Sequence, residues 1–272
     1  MDHEPFDSSK SVRTNEIAGF TLVELLVVVA TVAVLAALLL PALSAAKNQG
    51  RSAVCKNHLN QIGKAMTMYV SDYNIYPTWS NPWENKLIPY EPLSWTNTSW
   101  HCPKYLAEGG LVAWQPPPPG GGTTKAWTSY SYNAFGMQGQ GFSGMSVVSK
   151  GPPLGLGTMQ WGSLVHDHLV VAPSQLYTVA DSRPIWDQKA DGFIGGQWMN
   201  PWLLLPSLLN ANYTEANPPH SRGYNMLFAD AHVDLAKRKD YLYPPRGAHN
   251  WNRDNQPHPE EWSASNEWAV QD

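Results

Sequence analysis

Four side chains towards the carboxy terminus are of types that hold metal ions: His220, Asp230, His232 and Asp234. Imidazole and carboxylate both suit zinc, and in a strand Asp230, His232 and Asp234 would share one face. No His-Glu-x-x-His pattern or cysteine cluster accompanies them, so metal stays unassigned. The favoured role for His220 is a structural hydrogen bond to a turn around Asp230. Asp181, Asp187 and Asp191 offer some of the oxygens that a structural calcium needs, but the spacing of an EF-hand loop is absent. Trp79, Trp83, Trp95, Trp100, Trp114 and Trp127 stand in loop-like sequence. They could form sugar-stacking platforms; buried aromatic anchors are the favoured reading. There is no phosphate-cradling glycine loop, no Gly-x-Ser-x-Gly elbow and no Cys/His pair in a catalytic context. No catalytic residue, enzyme activity or cofactor is expected.

The elements that would carry these residues must come from a chain of 272 residues, room for one large domain or two modest ones. Charged residues make up 15%, against about 25% in an ordinary domain. A net charge of -4 supplies no basic field for nucleic acid. Thirteen Trp and twelve Tyr with 43% hydrophobic residues exclude a wholly disordered chain.

Residues 20–40 read FTLVELLVVVATVAVLAALLL, and only Thr21, Glu24 and Thr31 among them are not apolar. As a helix the run spans about 30 Å, the thickness of a bilayer's hydrocarbon core. It is too long for the apolar core of a cleaved secretory signal. A plain anchor leaves Glu24 unexplained, because a carboxylate inside a membrane helix is costly and usually has a partner.

Gly19-Phe20-Thr21-Leu22-Val23-Glu24 ahead of this run resembles the processing site of type IV prepilins and type II secretion pseudopilins. The resemblance implies cleavage between Gly19 and Phe20 by a prepilin peptidase and N-methylation of Phe20. It also makes Glu24 the fifth mature residue, which pairs with a neighbouring subunit's amine during assembly. Pro41 matches the proline these helices carry after about six turns. Ala18 departs from the Lys or Arg usual before the glycine. Later landmarks resemble a subgroup with a carboxy-terminal motif of His, nine residues, then Asp-Gly: His220 is followed by nine residues and Asp230-Ala231. Cys55-Lys56-Asn57-His58-Leu59-Asn60-Gln61-Ile62-Gly63, Cys102-Pro103, Ser131-Tyr132-Asn133 and Ala180-Asp181-Ser182 follow that subgroup in order. Ala231 stands at the glycine position, where a tight turn favours a residue tolerant of positive φ.

Pro41 should kink or loosen the helix. Beyond it, Cys55, Leu59, Ile62, Met66, Tyr69 and Tyr73 form one apolar stripe, and the helix should end near Asp72-Tyr73-Asn74. Short strands are expected at residues 130–133, 176–180 and 225–229. Residues 116–122, PPPPGGG, should form a loop, and the tail from Tyr243 an irregular wrap or frayed end.

The expected fold is α+β and pilin-like: a long amino-terminal helix on a small antiparallel sheet with loop-rich insertions. The expected division is leader 1–19, membrane and filament-core helix 20–45, amphipathic helix 46–75, globular domain 76–242 and tail 243–272. The resemblance implies a single-pass bacterial inner-membrane protein with a periplasmic domain. Its partners would be prepilin peptidase, other pseudopilin subunits and a secreted cargo. If the domain faces the periplasm, Cys55 and Cys102 can form a disulfide closing a loop of about 47 residues, for roughly 3–4 kcal/mol in the entropic account; two buried thiols are the alternative. The competing function is a membrane-anchored periplasmic carbohydrate-binding protein or metal-dependent hydrolase, using the Trp-rich loops or the His220, Asp230 and His232 group.

Overall fold

The computed structural model describes residues 20–78, 83–91, 100–104, 114–115, 125–126, 129–134, 136, 154–157, 164–181, 185–187, 192–194, 220, 223–237 and 244–259. The chain divides into two compact units, Met1–Ala46 and Lys47–Asp272.

One helix, α1 (Leu22–Tyr73), contributes to both. It starts where the sequence supplies a capping box. The Glu24 N–H donates to Thr21 Oγ1 (3.2 Å), and the Glu24 carboxylate accepts the Thr21 N–H (2.9 Å) and hydroxyl (2.8 Å). Two of the helix's first amide donors are thereby satisfied. α1 stays helical on both sides of Pro41. It stops at Tyr73, inside the expected stretch. Asn74 then takes a left-handed conformation (φ 56) and donates its N–H to Val70 O at 2.7 Å, an asparagine in the place glycine usually fills after a helix. Every described residue of the first unit is exposed.

In the second unit α1 turns its stripe inward. Cys55, Leu59, Ile62, Gly63, Ala65, Met66 and Tyr69 are buried. Tyr73, expected on that stripe, is 58% exposed and lies against the Tyr69 ring instead, because the helix has run past the core by its last turn. A short helix, α2 (Trp83–Leu87), buries Trp83, Glu84 and Leu87.

The sheet under the stripe is antiparallel, ordered β3-β4-β7-β8. Its strands are β3 (Tyr130–Tyr132), β4 (Tyr177–Asp181), β7 (Gly223–Phe228) and β8 (Val233–Lys237). Two separate two-stranded ladders pair β1 (Trp114–Gln115) with β2 (Lys125–Ala126), and β5 (Ile185–Asp187) with β6 (Gly192–Ile194). Leu59, Ile62, Ala65 and Met66 share one core with Tyr130, Tyr132, Val179 and Leu227. The three expected strands exist within a residue or two, and β8 is an addition. Residues 116–122 lie outside the described residues.

β7 and β8 form a hairpin. Phe228 and His232 face each other across a loop of Ala229, Asp230 and Ala231, with Phe228 N–H bonded to His232 O at 2.9 Å and Ala231 N–H to Phe228 O at 3.0 Å. The third loop residue of such a turn takes the left-handed region, and Ala231 does so at φ 70. The turn that favours glycine therefore forms around alanine, with the strain that a Cβ brings there.

The tail differs from expectation. Pro244–Trp251 is a helix, α3, opened by prolines whose missing N–H groups cost nothing in a first turn. Trp251 is fully buried. Asn133 holds it: the Asn133 amide donates to Trp251 O (2.9 Å) and Tyr177 O (2.7 Å) while its carbonyl accepts the Gly136 N–H (3.0 Å). One buried side chain thus ties α3 to the edge of β4, which periodicity in the tail could not reveal.

Candidate functional site

The amino-terminal site is built on the first turn of α1. Phe20 is 69% exposed immediately before the helix, and Gly19 lies outside the described residues. From Phe20 to Ala46 the chain presents an apolar surface that no described residue of its own unit covers, including Leu22, Leu38 and Leu40. Glu24 is the only acidic residue in it, and among the described residues Thr21 alone engages its carboxylate. α1 is long and apolar enough to cross a membrane.

A second group of thiol, imidazole and carboxylate side chains is buried in the unit Lys47–Asp272. Cys55 comes from the α1 stripe. Cys102 is set by its own N–H, which donates to Ser129 Oγ at 2.7 Å beside β3. Neither cysteine is in a disulfide, and both are buried. His220 stands before β7, its carbonyl accepting the Gly223 N–H at 2.7 Å. Its Nε2 lies 3.4 Å from Cys102 Sγ and 3.1 Å from Asp181 Oδ2. Asp181 ends β4, and its carboxylate accepts the Asn225 N–H (2.9 Å) and side-chain amide (2.7 Å) from β7.

Burial and pairing oppose each other here. Burial raises the Asp181 carboxyl to about 6, with His220 acting in the other direction. Burial disfavours the charged imidazole of His220, but its bonds to Asp181 and Cys102 more than offset this and hold it up at about 9. The bond to Cys102, reinforced by burial, pushes the Cys55 thiol well up. Beside them Tyr130 Oη and His58 Nδ1 are hydrogen-bonded at 2.8 Å, and burial lowers the His58 imidazole.

The expected bond between His220 and the Asp230 turn is absent. His220 faces Asp181 instead, and Asp230 bonds its own neighbour His232 through Nδ1, capping the hairpin loop. Asp234 accepts the adjacent Leu235 N–H, so Asp230, His232 and Asp234 do not converge on one point. The Asp181 oxygens are taken by Asn225 and His220; Asp191 and the side chain of Asp187 lie outside the described residues. Of the tryptophans, Trp83 is buried and stacks on Tyr132 at 5.3 Å, and Trp100 packs on the core against His58 at 5.1 Å. Both are anchors rather than platforms. Trp79, Trp95, Trp127 and the side chain of Trp114 lie outside the described residues. The pairing of Asp181 with His220 was missed in sequence, although Ala180-Asp181-Ser182 stood out as a landmark.

Residues 44–101 match a family described as a protein of unknown function, DUF1559. The type IV wide pilus major component PilA4 of Thermus thermophilus is 47% identical over 58 residues, which are 21% of this chain and 44% of that protein. The type II secretion system core protein G of Pseudomonas aeruginosa is 30% identical over 124 residues, covering 45% of this chain and 87% of that protein. The chain belongs to the pilin and pseudopilin family. No solved structure matches. The α+β architecture is that of a pilin-like protein, a long amino-terminal helix with a small antiparallel sheet. Its named relatives are structural components rather than enzymes. The chain is accordingly a pilin-like structural subunit anchored in a membrane by α1.

Proposed function

We propose that this pilin-like subunit is cut between Gly19 and Phe20 by a prepilin peptidase, N-methylated on Phe20, and packed through residues 20–45 into a type II secretion or type IV pilus-like filament. The domain from residue 46 onward is then periplasmic and faces outward from the filament, where it meets neighbouring subunits and a secreted cargo. The observation that carries this reading is an apolar helical surface uncovered from Phe20 to Ala46 and interrupted by one carboxylate, Glu24, on the first turn. A membrane satisfies the apolar surface before assembly, and neighbouring helices satisfy it afterwards.

Glu24 then serves assembly. Cleavage creates a cationic amine on Phe20. A neighbour's amine can replace the Thr21 donors on the Glu24 carboxylate, and that exchange pairs two charges inside an apolar bundle. Removing one member of such a pair is strongly destabilising, because the other stays buried and uncompensated. Glu24→Ala should be cleaved normally but fail to enter filaments, scored by immunoblot of the processed form and of sheared filament fractions. Normal filament incorporation of Glu24→Ala would overturn the assembly role.

A further inference from the structure

The buried group around Cys55, Cys102 and His220 has no part in helix-to-helix assembly, and its donor chemistry is that of a metal site. One ligand atom from each of the three lies within 4.8 Å of the others. Cys102 Sγ and His220 Nε2 are 3.4 Å apart. Around tetrahedral zinc, with Zn–S of about 2.3 Å and Zn–N of about 2.0 Å, a sulfur and a nitrogen ligand sit about 3.5 Å apart. These two atoms are therefore already spaced as neighbours in one coordination shell.

His220 Nε2 faces both Cys102 Sγ and Asp181 Oδ2, so one ring proton serves two acceptors. His220 Nδ1 is buried with no hydrogen-bond partner among the described residues. A buried polar group left unmet costs about 1–3 kcal/mol. Sulfur, nitrogen and carboxylate oxygen thus converge on one buried spot. Two thiolates with an imidazole select zinc over the hard cations magnesium and calcium. Asn225 already holds the carboxylate of Asp181 with two donors, the outer support that metal-site carboxylates commonly have. His220 also borders a cavity of about 270 Å³ lined by Gln49, Ser52, Ala53, Lys56 and Leu235.

We propose that Cys55, Cys102 and His220 bind one Zn²⁺ ion, with the Asp181 carboxylate 3.1 Å from His220 Nε2 beside them. The ion would join α1, the segment carrying Cys102 and the start of β7, which are far apart in sequence. It would staple the domain where a disulfide would join only the first two.

The test uses the full chain purified in detergent with a phosphine reductant, stripped of metal and titrated with Zn²⁺ against a chromophoric chelator. One equivalent should bind, and zinc-edge X-ray absorption should show two sulfurs at about 2.3 Å. Co²⁺ in place of Zn²⁺ should give sulfur-to-metal charge-transfer absorption, a readout that needs no core substitution. Cys102→Ser should weaken Zn²⁺ binding at least about 100-fold, beyond the loss expected from an outer partner alone, while His232→Ala should leave it unchanged. Substoichiometric binding, a sulfur-free coordination shell, or affinity retained in Cys102→Ser would overturn the proposal. So would chain recovered from its native envelope carrying a Cys55–Cys102 disulfide and no metal.

Discussion

The two halves of α1 share one backbone helix and differ in everything around it. From Leu22 to Ala46 every residue is exposed, although most are Leu, Val or Ala. From Cys55 to Tyr69 the exposed positions are mostly polar, and the apolar ones at spacings of three and four are buried against β3, β4 and β7. The first half is apolar all round and needs an external apolar medium. The second is apolar on one face and finds its partner within its own unit. The helix is thus an adaptor between two environments, and the stability of the domain should rest on the second half alone.

Substitutions at the two ends sharpen that contrast most. Ile62→Ala removes a fully buried side chain and should destabilise the domain by about 2–5 kcal/mol. Leu35→Ala, on the exposed half, should leave it unchanged. Chemical denaturation of both proteins in the same detergent checks this, and equal losses would mean that the halves are not energetically distinct.

An effect of similar size, spread across pH, concerns charge inside the domain. Glu84 on α2 is buried with one carboxylate oxygen unpartnered among the described residues, and burial raises it from 4.5 to about 8. In the folded state it keeps its proton where the unfolded chain has lost it. Stability should therefore fall as pH rises from about 4.5 to about 8, by on the order of 1 kcal/mol per pH unit from this group. Glu84→Gln should remove that component of the slope, and an unchanged profile would contradict its burial as a neutral acid.

The smallest effect lies in the hairpin. Ala231→Gly should raise stability by roughly 0.5–1 kcal/mol by relieving the positive φ, net of glycine's greater freedom when unfolded. The methyl of Ala231 would sit 3.2 Å from a Cβ built on Gly63 of α1. A lower melting temperature in Ala231→Gly would mean that this packing outweighs the strain.

Much of this was legible in the residues. The helix stripe, its end near Tyr73, three of the sheet's four strands and the amino-terminal pattern all rest on periodicity or on a specific short string. The failures have physical reasons too. β8 has a mixed burial pattern, and only Ala236 in it is buried, so it lacks a strand's alternating signature. α3 is held by Asn133 and by the short buried face of Gly247, Ala248 and Trp251, too brief to read as a periodic stripe. Tyr73 follows the stripe's spacing after the core has ended. The site was half visible. Cys55, Cys102 and His220 were each singled out, but their convergence depends on β4 and β7 lying side by side. Only that pairing sets Asp181 against His220 and Asn225.

The central claim, a prepilin trimmed to expose Phe20, is tested most directly by intact and amino-terminal mass spectrometry of the protein recovered from native membranes. A mature chain beginning at N-methylated Phe20 is the predicted result. A chain that still begins at Met1, or one cut beyond Ala46, would contradict it.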